Sequence, residues 1–228
     1  MNIRSRQIWL AAAVGVGLGS ALLGAGCKTK SDGGDGARVR LINAAPNADG
    51  LTVSVNGERA WKNAAYRSSS GYQTIAAGTY PVRMDAAKLG AVPARSLSFE
   101  KGHAYTVLAL GRNIRGSGPR LEVFEDGTEP PPAGRAVLRL INASTNGIPL
   151  DLVVNSIVAA KGVTFGGGST ALALDGGAYD LQVVAYGTAD VLAGPVSLRL
   201  EPGQSYTLVA IGDPSDGSLS LEAYPDSK

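Results

Sequence analysis

The chain holds few residues that could carry out nucleophilic or metal chemistry. His103 is its one histidine and Cys27 its one cysteine among 228 residues. A Ser-His-Asp triad would need His103 as its base, and no Gly-x-Ser-x-Gly elbow supplies a nucleophile. A single histidine and a single cysteine are also too few for a tetrahedral zinc site with nitrogen and sulfur ligands. We therefore predict that the protein is not an enzyme and that it has no catalytic residues, metal site or cofactor.

Carboxylates and glycine tracts offer the other routes to chemistry, and neither is convincing. Asp49, Asp85 and Glu100 lie in or near expected turns, where acids are ordinarily solvated. The segment from Asp32 to Asp35 lacks the spaced oxygen ligands of a calcium-binding loop. The tract Gly166 to Gly168 lacks the lysine of a phosphate-binding loop and opens no helix. These glycines are expected to serve loop geometry.

One segment, residues 59–72, combines aromatic and basic side chains in a way that is typical of contact surfaces. It is rich in small residues, and loops of that kind are where β-sandwich domains usually bind. A second interpretation, that Trp61 and Tyr66 plug the end of a sandwich, stays open beside the first. The candidate binding residues are Arg59, Trp61, Lys62, Tyr66, Arg67 and Tyr72.

The segments that must position these residues belong to a sequence repeat that occurs twice in the chain. The tract Arg40 to Ala44 (RLINA) returns at Arg139 to Ala143, an offset of 99 residues. After a two-residue slip the similarity resumes as YTVLALG, residues 105–111, against YTLVAIG, residues 206–212. Such internal similarity predicts two domains of one fold, each of about 90 residues. Trp61 and Tyr72 are replaced by alanine at the equivalent positions of the second copy, so function is expected where the copies differ.

Within each copy, apolar residues alternate with polar ones, which is the period of a half-buried β-strand. The segment Leu51 to Val55 shows this alternation and is followed by Asn56-Gly57, a strong signal for a β-hairpin. Short strands separated by glycine and proline turns predict an all-β protein with two tandem immunoglobulin-like antiparallel β-sandwich domains. The Cys–Trp–Cys pattern of true immunoglobulin domains is absent.

The N-terminal segment is typical of a secretory leader that ends at a lipidated cysteine. Arg4 and Arg6 precede an uncharged run from Ile8 to Gly26 that is interrupted by glycines. The sequence LLGAGC, which ends at Cys27, resembles a bacterial lipobox, and a lone cysteine in an exported protein cannot form an internal disulfide. We expect a diacylglyceryl thioether at Cys27 that anchors the protein to a membrane. The alternative is a free thiol beside a signal-anchor helix.

The repeat also resembles the bacterial and archaeal family called domain of unknown function 4397. The residues that carry the resemblance are VRLINAAPNADGLTVSVNG at 39–57, GTYPVRM at 78–84 and YTVLALG at 105–111, with their counterparts in the second copy. The resemblance implies exported, often lipid-anchored β-domains that are frequently in tandem and have no established activity. It supplies no catalytic residues.

These observations predict a signal peptide at 1–26, a flexible tether at 27–37, repeat 1 at 38–126, a Pro-rich linker at 127–134 and repeat 2 at 135–228. The three prolines of the linker predict that it spaces the repeats semi-rigidly. Repeat 1 has 12 basic and 7 acidic side chains, hence +5, whereas repeat 2 has 5 basic and 9 acidic, hence −4.

The formal charge of +2 comes from the two arginines of the leader, so it gives no reason to expect nucleic-acid binding. We expect a lipid-anchored protein of the bacterial envelope, at the outer membrane, the periplasm or the cell surface, with a role in binding, adhesion or scaffolding. The expected partners are the membrane, an envelope protein or polysaccharide, and a second copy docked head-to-tail through the opposed charges. The alternative function is polysaccharide binding by the aromatic and basic surface of repeat 1.

Overall fold

The computed structural model describes residues 36–88, 92–111, 119–127 and 129–226. The predicted leader, the predicted lipidation site Cys27 and nearly all of the predicted tether lie outside the described residues. Residues Gly33–Lys228 form one compact unit, and it holds both repeats.

Each repeat folds into eight strands. Those of repeat 1 are β1 (Gly36–Asn43), β2 (Leu51–Val55), β3 (Glu58–Ala64), β4 (Gln73–Ala76), β5 (Gly78–Asp85), β6 (Arg95–Phe99), β7 (Ala104–Leu110) and β8 (Arg120–Asp126). Those of repeat 2 are β9 (Arg135–Ser144), β10 (Leu150–Val154), β11 (Ile157–Val163), β12 (Leu172–Asp175), β13 (Gly177–Ala185), β14 (Val191–Leu200), β15 (Ser205–Gly212) and β16 (Ser220–Pro225). A short 3-10 helix, Pro214–Asp216, precedes β16.

The strands of each repeat form two four-stranded sheets, which confirms the predicted β-sandwich. Repeat 1 has an inner sheet of order β4-β1-β7-β8 and an outer sheet of order β3-β2-β5-β6. Repeat 2 has an inner sheet of order β12-β9-β15-β16 and an outer sheet of order β11-β10-β13-β14. Pairing is antiparallel except that β1 runs parallel to β7, and β9 parallel to β15. A parallel pair joins strands distant in sequence, so local alternation does not reveal it.

The hairpin predicted at Asn56-Gly57 is present between β2 and β3. Asn56 and Gly57 have φ angles of 51° and 83°, as a two-residue turn with both central residues left-handed requires. In repeat 2 the same turn is made by Asn155 and Ser156, with φ angles of 47° and 68°. Ser156 therefore occupies a conformation that favours glycine, and the hairpin between β10 and β11 is kept without one.

The repeated RLINA tract is explained by the two faces of β1 and β9. Leu41 packs in the core between the two sheets of its own repeat, whereas Ile42 points to the opposite side of the strand. The buried amide of Asn43 donates hydrogen bonds to the carbonyl oxygens of Ala48 (2.8 Å) and Ala64 (3.0 Å), and so holds the loop that follows β1. The equivalent residues of β9 take the same places. The tract thus serves both sides of one strand.

The two inner sheets pack against each other through a third hydrophobic core, separate from the core of each sandwich. Its members come from the outward faces of β1, β7, β9 and β15, and all are fully buried. They are Ile42, Ala44, Leu108, Leu110, Ile141, Ala143, Val209 and Ile211. The repeats are therefore in direct contact, which the predicted semi-rigid linker did not reveal. Apolar faces on both inner sheets favour contact more than a spacer of eight residues can oppose it.

A buried guanidinium crosses this contact from repeat 1. The Arg40 side chain is 2% exposed, and its Nε donates a hydrogen bond to the Thr106 hydroxyl at 2.9 Å within its own repeat. Its other nitrogens reach into repeat 2, where they donate to the Thr207 hydroxyl (3.1 Å), the Pro225 carbonyl oxygen (2.8 Å) and the Asp226 carboxylate. Every arm of the guanidinium thus has an acceptor, as a buried charge requires.

Arg139 of repeat 2 makes the equivalent contacts with repeat 1. Arg139 Nε donates to the Thr207 hydroxyl at 3.0 Å, and its other nitrogens donate to the Glu125 carbonyl oxygen (2.7 Å) and to the Asp126 carboxylate of repeat 1. Thr106 in turn donates to Asp126 at 2.8 Å. Apart from the hydrogen bond of Arg40 to Thr207, these contacts of one repeat are matched by equivalent contacts of the other, which is the pattern of a two-fold, isologous interface. We call these two arginines, two threonines and two aspartates the inter-repeat network.

We expect Arg40→Ala to lower the free energy of unfolding by about 3–5 kcal/mol, because it leaves the Asp226 carboxylate buried without its counter-ion. Urea unfolding of a chain that begins at residue 33 measures the effect without screening charges. Arg83→Ala, an exposed arginine of the outer sheet of repeat 1, is the matched control and should change stability by less than about 0.5 kcal/mol. Equal effects of the two substitutions would contradict a stabilising network.

Candidate functional site

Three of the six predicted surface residues lie on β3 rather than in a loop. Arg59 and Lys62 are exposed there, but Trp61 is 6% exposed and belongs to the core of repeat 1. Trp61 pairs with the buried Val53 across β2 and β3, so its ring points between the two sheets. The prediction of a surface aromatic at Trp61 is wrong, since the ring packs in the core of repeat 1.

Tyr66 and Arg67 lie in the connection between β3 and β4, where they contact repeat 2. The Tyr66 ring packs against the inter-repeat core. Arg67 Nη2 donates a hydrogen bond to the Ser218 carbonyl oxygen at 2.6 Å, and its Nη1 lies 3.7 Å from Oε1 of Glu222. The Tyr224 hydroxyl donates back to the Arg67 carbonyl oxygen at 2.9 Å. These two residues therefore hold the repeats together, and they are not available as a joint external surface.

The two halves of the interface each contain an arginine beside this loop, but both arginines come from repeat 1, at positions that are not equivalent. Arg67 is left-handed, with φ of 63°, and its counterpart in repeat 2 is Gly166, with φ of 74°. On that side the Arg120 guanidinium of repeat 1 fills the space, since a Cβ on Gly166 would clash with it. The Arg120 guanidinium stacks on the Phe165 ring at 4.5 Å and pairs with Glu122 at 2.8 Å. Each half thus keeps one arginine, one glutamate and one aromatic ring.

Tyr72 is joined to the inter-repeat network. Its ring lies over the guanidinium carbons of Arg38 (4.6 Å) and Arg40 (5.0 Å), and its hydroxyl donates to Oδ2 of Asp126 at 2.6 Å. Burial raises the pKa of the Tyr72 phenol well above its usual range, and the Asp126 carboxylate raises it further. The phenol therefore stays protonated and acts as a hydrogen-bond donor.

Repeat 2 has clefts where the aromatic residues of repeat 1 are replaced by alanine. Ala160, the counterpart of Trp61, lines a cleft of about 440 Å³ with the glycine-rich loop that follows β11. Ala171, the counterpart of Tyr72, lines a cleft of about 510 Å³ that also includes Arg139 and Asp226. The equivalent space beside Tyr72 in repeat 1 measures about 250 Å³. The divergence between the copies thus opens concave sites in repeat 2.

The outward faces of the two outer sheets differ in polarity. In repeat 1, Ser54 of β2 pairs with Arg59 of β3, and both side chains face away from the core. Their counterparts in repeat 2 are Val153 of β10 and Val158 of β11, which pair in the same way.

The replacement continues along the same face. Asp85 at the end of β5 corresponds to Val184 of β13, which pairs with Val191 of β14. Val158 and Val191 are 43% and 51% exposed, and the outward-facing Val153 and Val184 beside them are nearly covered. We call Val153, Val158, Val184 and Val191 the valine face. Three polar positions of repeat 1 have become valine there.

A buried carboxylate closes one end of the valine face. Asp151 replaces Thr52 of repeat 1, and it accepts backbone hydrogen bonds from Gly162 (2.7 Å) and Gly187 (3.2 Å). Tyr186, next along the chain from β13, is 57% exposed beside Gly162. The face therefore carries an exposed aromatic ring at its border. Apolar patches with an aromatic residue are a common composition of protein contact surfaces.

Away from these sites, the histidine contacts two glutamate side chains. His103 lies at the start of β7, with Nδ1 2.6 Å from Oε1 of Glu125 and Nε2 3.9 Å from Oε2 of Glu100. Within the ranges that the structure describes, no group of three or more His, Cys, Asp or Glu residues could hold a metal ion. The same ranges contain no helix that is long and apolar enough to cross a membrane.

Two sandwiches of one fold, joined through their inner sheets, place the chain among tandem β-sandwich proteins. The family model for Domain of unknown function (DUF4397) matches it twice, over residues 37–152 and 136–228. The chain belongs to this family, as the resemblance of its repeats predicts. No curated protein matches the chain.

Sequence reasoning missed the inter-repeat network because its residues look like ordinary strand residues. One signal was present: the same arginine, Arg40 or Arg139, stands between apolar residues at the same position of both copies. Ile42 lies two residues further on the same face. An arginine and an isoleucine repeated on one face of a strand indicate that this face is covered, because a solvated face would carry polar residues at both places.

We expect Trp61→Ala to destabilise the protein by about 3–5 kcal/mol, because it removes a large ring from the core of repeat 1. Thermal or urea unfolding followed by circular dichroism measures the effect. Lys62→Ala, the exposed neighbour on β3, should change stability by less than about 0.5 kcal/mol. A Trp61→Ala variant as stable as Lys62→Ala would contradict the core position.

Proposed function

We propose that this protein is a lipid-anchored, non-catalytic component of the bacterial envelope that binds another envelope protein through the valine face of repeat 2. The observation that carries the proposal is the change from Ser54, Arg59 and Asp85 in repeat 1 to valine at the same positions of repeat 2. Apolar side chains on the outward face of a sheet cost solubility unless they are covered. Repeat 1, which has the same fold, carries polar residues at the equivalent positions.

A protein partner fits this face better than a polysaccharide does. The exposed groups are branched aliphatic side chains and one tyrosine at the border. Polysaccharide binding through the aromatic and basic surface of repeat 1 receives no support from the geometry. Trp61 lies in the core, whereas Tyr66 and Tyr72 are engaged with the inter-repeat contact.

Head-to-tail association of two copies through opposed charges remains a prediction. Part of that charge is used within the chain, since Arg40 and Arg67 of repeat 1 pair with Asp226 and Glu222 of repeat 2. Association between copies, or contact of repeat 1 with an anionic surface, would have to use other charges. Arg59, Lys62 and Arg83 are exposed and supply such charges on the outer sheet.

The proposed anchor predicts that Cys27→Ser moves the protein from the membrane fraction to the soluble exported fraction. The thioether-linked acyl chains would then be absent, and they supply the membrane affinity. Fractionation of the native host, with metabolic labelling by a fatty-acid analogue, measures both effects. The control is Lys28→Ser, which introduces serine at the next position and leaves the cysteine in place. Labelling that persists in Cys27→Ser would contradict the anchor.

The proposed contact surface predicts photocrosslinks from the valine face. Benzoylphenylalanine at position 158 in the native envelope should give a discrete crosslinked product that mass spectrometry identifies as another protein. The same amino acid at position 59 is the matched control, because Arg59 and Val158 occupy equivalent edge-strand positions of the two repeats.

The comparison of the two positions decides the proposal. A product from position 158 that is absent from position 59 supports the valine face as a contact. Equal products from both positions, or none from position 158, would contradict it. A variant with Val158→Arg, which restores the residue of repeat 1, should remove the product obtained from a crosslinker at position 191.

A further inference from the structure

Repeat 1 contains a complete binding arrangement for a phenol, occupied by its own Tyr72. The ring stacks on Arg38 and Arg40, and the hydroxyl donates to Oδ2 of Asp126 at 2.6 Å. A guanidinium on the ring face and a carboxylate at the hydroxyl are both favourable contacts for a neutral phenol. The side chain of Asp126 is 2% exposed beneath it.

Repeat 2 keeps most of this arrangement and lacks the ring. Arg139 corresponds to Arg40, Asp226 to Asp126 and Ala171 to Tyr72, and all three line the cleft of about 510 Å³. Val137 stands in place of Arg38 and gives the cleft an apolar wall. Prolines 130–132 of the linker line its other side.

The two aspartates differ where the ring is missing. Oδ2 of Asp126 accepts hydrogen bonds from Tyr72 and from Thr106. Oδ1 of Asp226 accepts from Arg40 and Thr207, but among the residues that the structure describes no hydrogen bond reaches its Oδ2. The side chain of Asp226 is nevertheless only 9% exposed. Asp226 lines the cleft, and its Oδ2 is the carboxylate oxygen left to accept a ligand hydroxyl.

We propose that the cleft at Ala171 in repeat 2 binds a phenolic ring, which stacks on Arg139 and donates its hydroxyl to Asp226, as Tyr72 does within repeat 1. The ring comes from a molecule other than the two repeats, either a free phenolic compound or the tyrosine side chain of a partner protein. The site lies on the inner-sheet side of repeat 2, away from the valine face. The inference therefore stands independently of the proposed contact surface and anchor.

The direct test is a titration of the ¹⁵N-labelled chain, residues 33–228, with p-cresol followed by NMR. All three hydrophobic cores lie within these residues, which form one compact unit. We expect saturable shifts of the amides around Ala171 and Arg139, with a Kd on the order of 1 mM for so small a ligand. 4-Methylanisole, which has the same ring but no hydroxyl hydrogen, should bind about tenfold more weakly or not at all.

Two substitutions test the site by exchanging tyrosine and alanine between the equivalent positions 72 and 171. Ala171→Tyr places a covalent ring in the cleft, so it should weaken p-cresol binding at least tenfold while the remaining amide resonances stay in place. Tyr72→Ala vacates the equivalent site of repeat 1, so it should add a second set of shifting amides around Arg40 and raise the stoichiometry from one to two. Circular dichroism on each variant verifies that the fold is kept.

The source of the ring is distinguished by N-acetyltyrosinamide. Binding at least as tight as that of p-cresol assigns the site to a tyrosine side chain of a partner, because the cleft then accepts the attached peptide groups. Binding of p-cresol alone assigns it to a free phenolic compound. The proposal is overturned if p-cresol shifts no amide near Ala171 at 20 mM, a concentration about twenty times the expected Kd. It is equally overturned if Ala171→Tyr binds p-cresol as tightly as the parent chain.

Discussion

The contact between the two repeats depends on two arginines at the inner sheets, Arg40, which is buried, and Arg139, which is partly buried. Arg40 and Arg139 each reach across to an aspartate at the end of the other repeat, and the threonines beside them complete the hydrogen bonds. A buried charge is tolerated only where its partners are fixed, so this pairing specifies how the sandwiches meet. Apolar packing on the same strands then stabilises the contact that the charges select.

The clefts and surfaces follow from that contact. Because the inner sheets cover each other, their packed faces are closed to partners, whereas the outer sheets and the rims of the interface are open. The valine face lies on one outer sheet, and the Ala171 cleft lies at a rim. Both are in repeat 2, whereas the equivalent places of repeat 1 carry polar residues and the ring of Tyr72. Repeat 1 thus gives the reference state against which the divergence of repeat 2 can be interpreted.

The fold was largely predictable from the sequence, and the site was not. Alternation, the Asn56-Gly57 turn and the internal repeat indicate two β-sandwiches, but residues 59–72 were expected to form a binding loop, whereas the first of them lie on β3. Trp61 itself was assigned to a surface, since composition does not tell which side of a strand a ring occupies. The network depends in part on a contact between residues 186 positions apart, Arg40 and Asp226, and the same aspartate lines the Ala171 cleft. Local patterns carry no information about such pairs.

The reciprocal contact has a consequence for how the molecule could change over evolutionary time. A dimer of identical chains would have to carry every interface substitution twice, once on each side of the axis. In a fused chain each side mutates alone, and the short linker keeps the two halves together at any concentration. Repeat 1 has Arg67 and Arg120 where the equivalent residues of repeat 2 are Gly166 and Ser220, which shows such independent change. Fusion is thus what permits one tyrosine pocket to stay filled while its twin stands open.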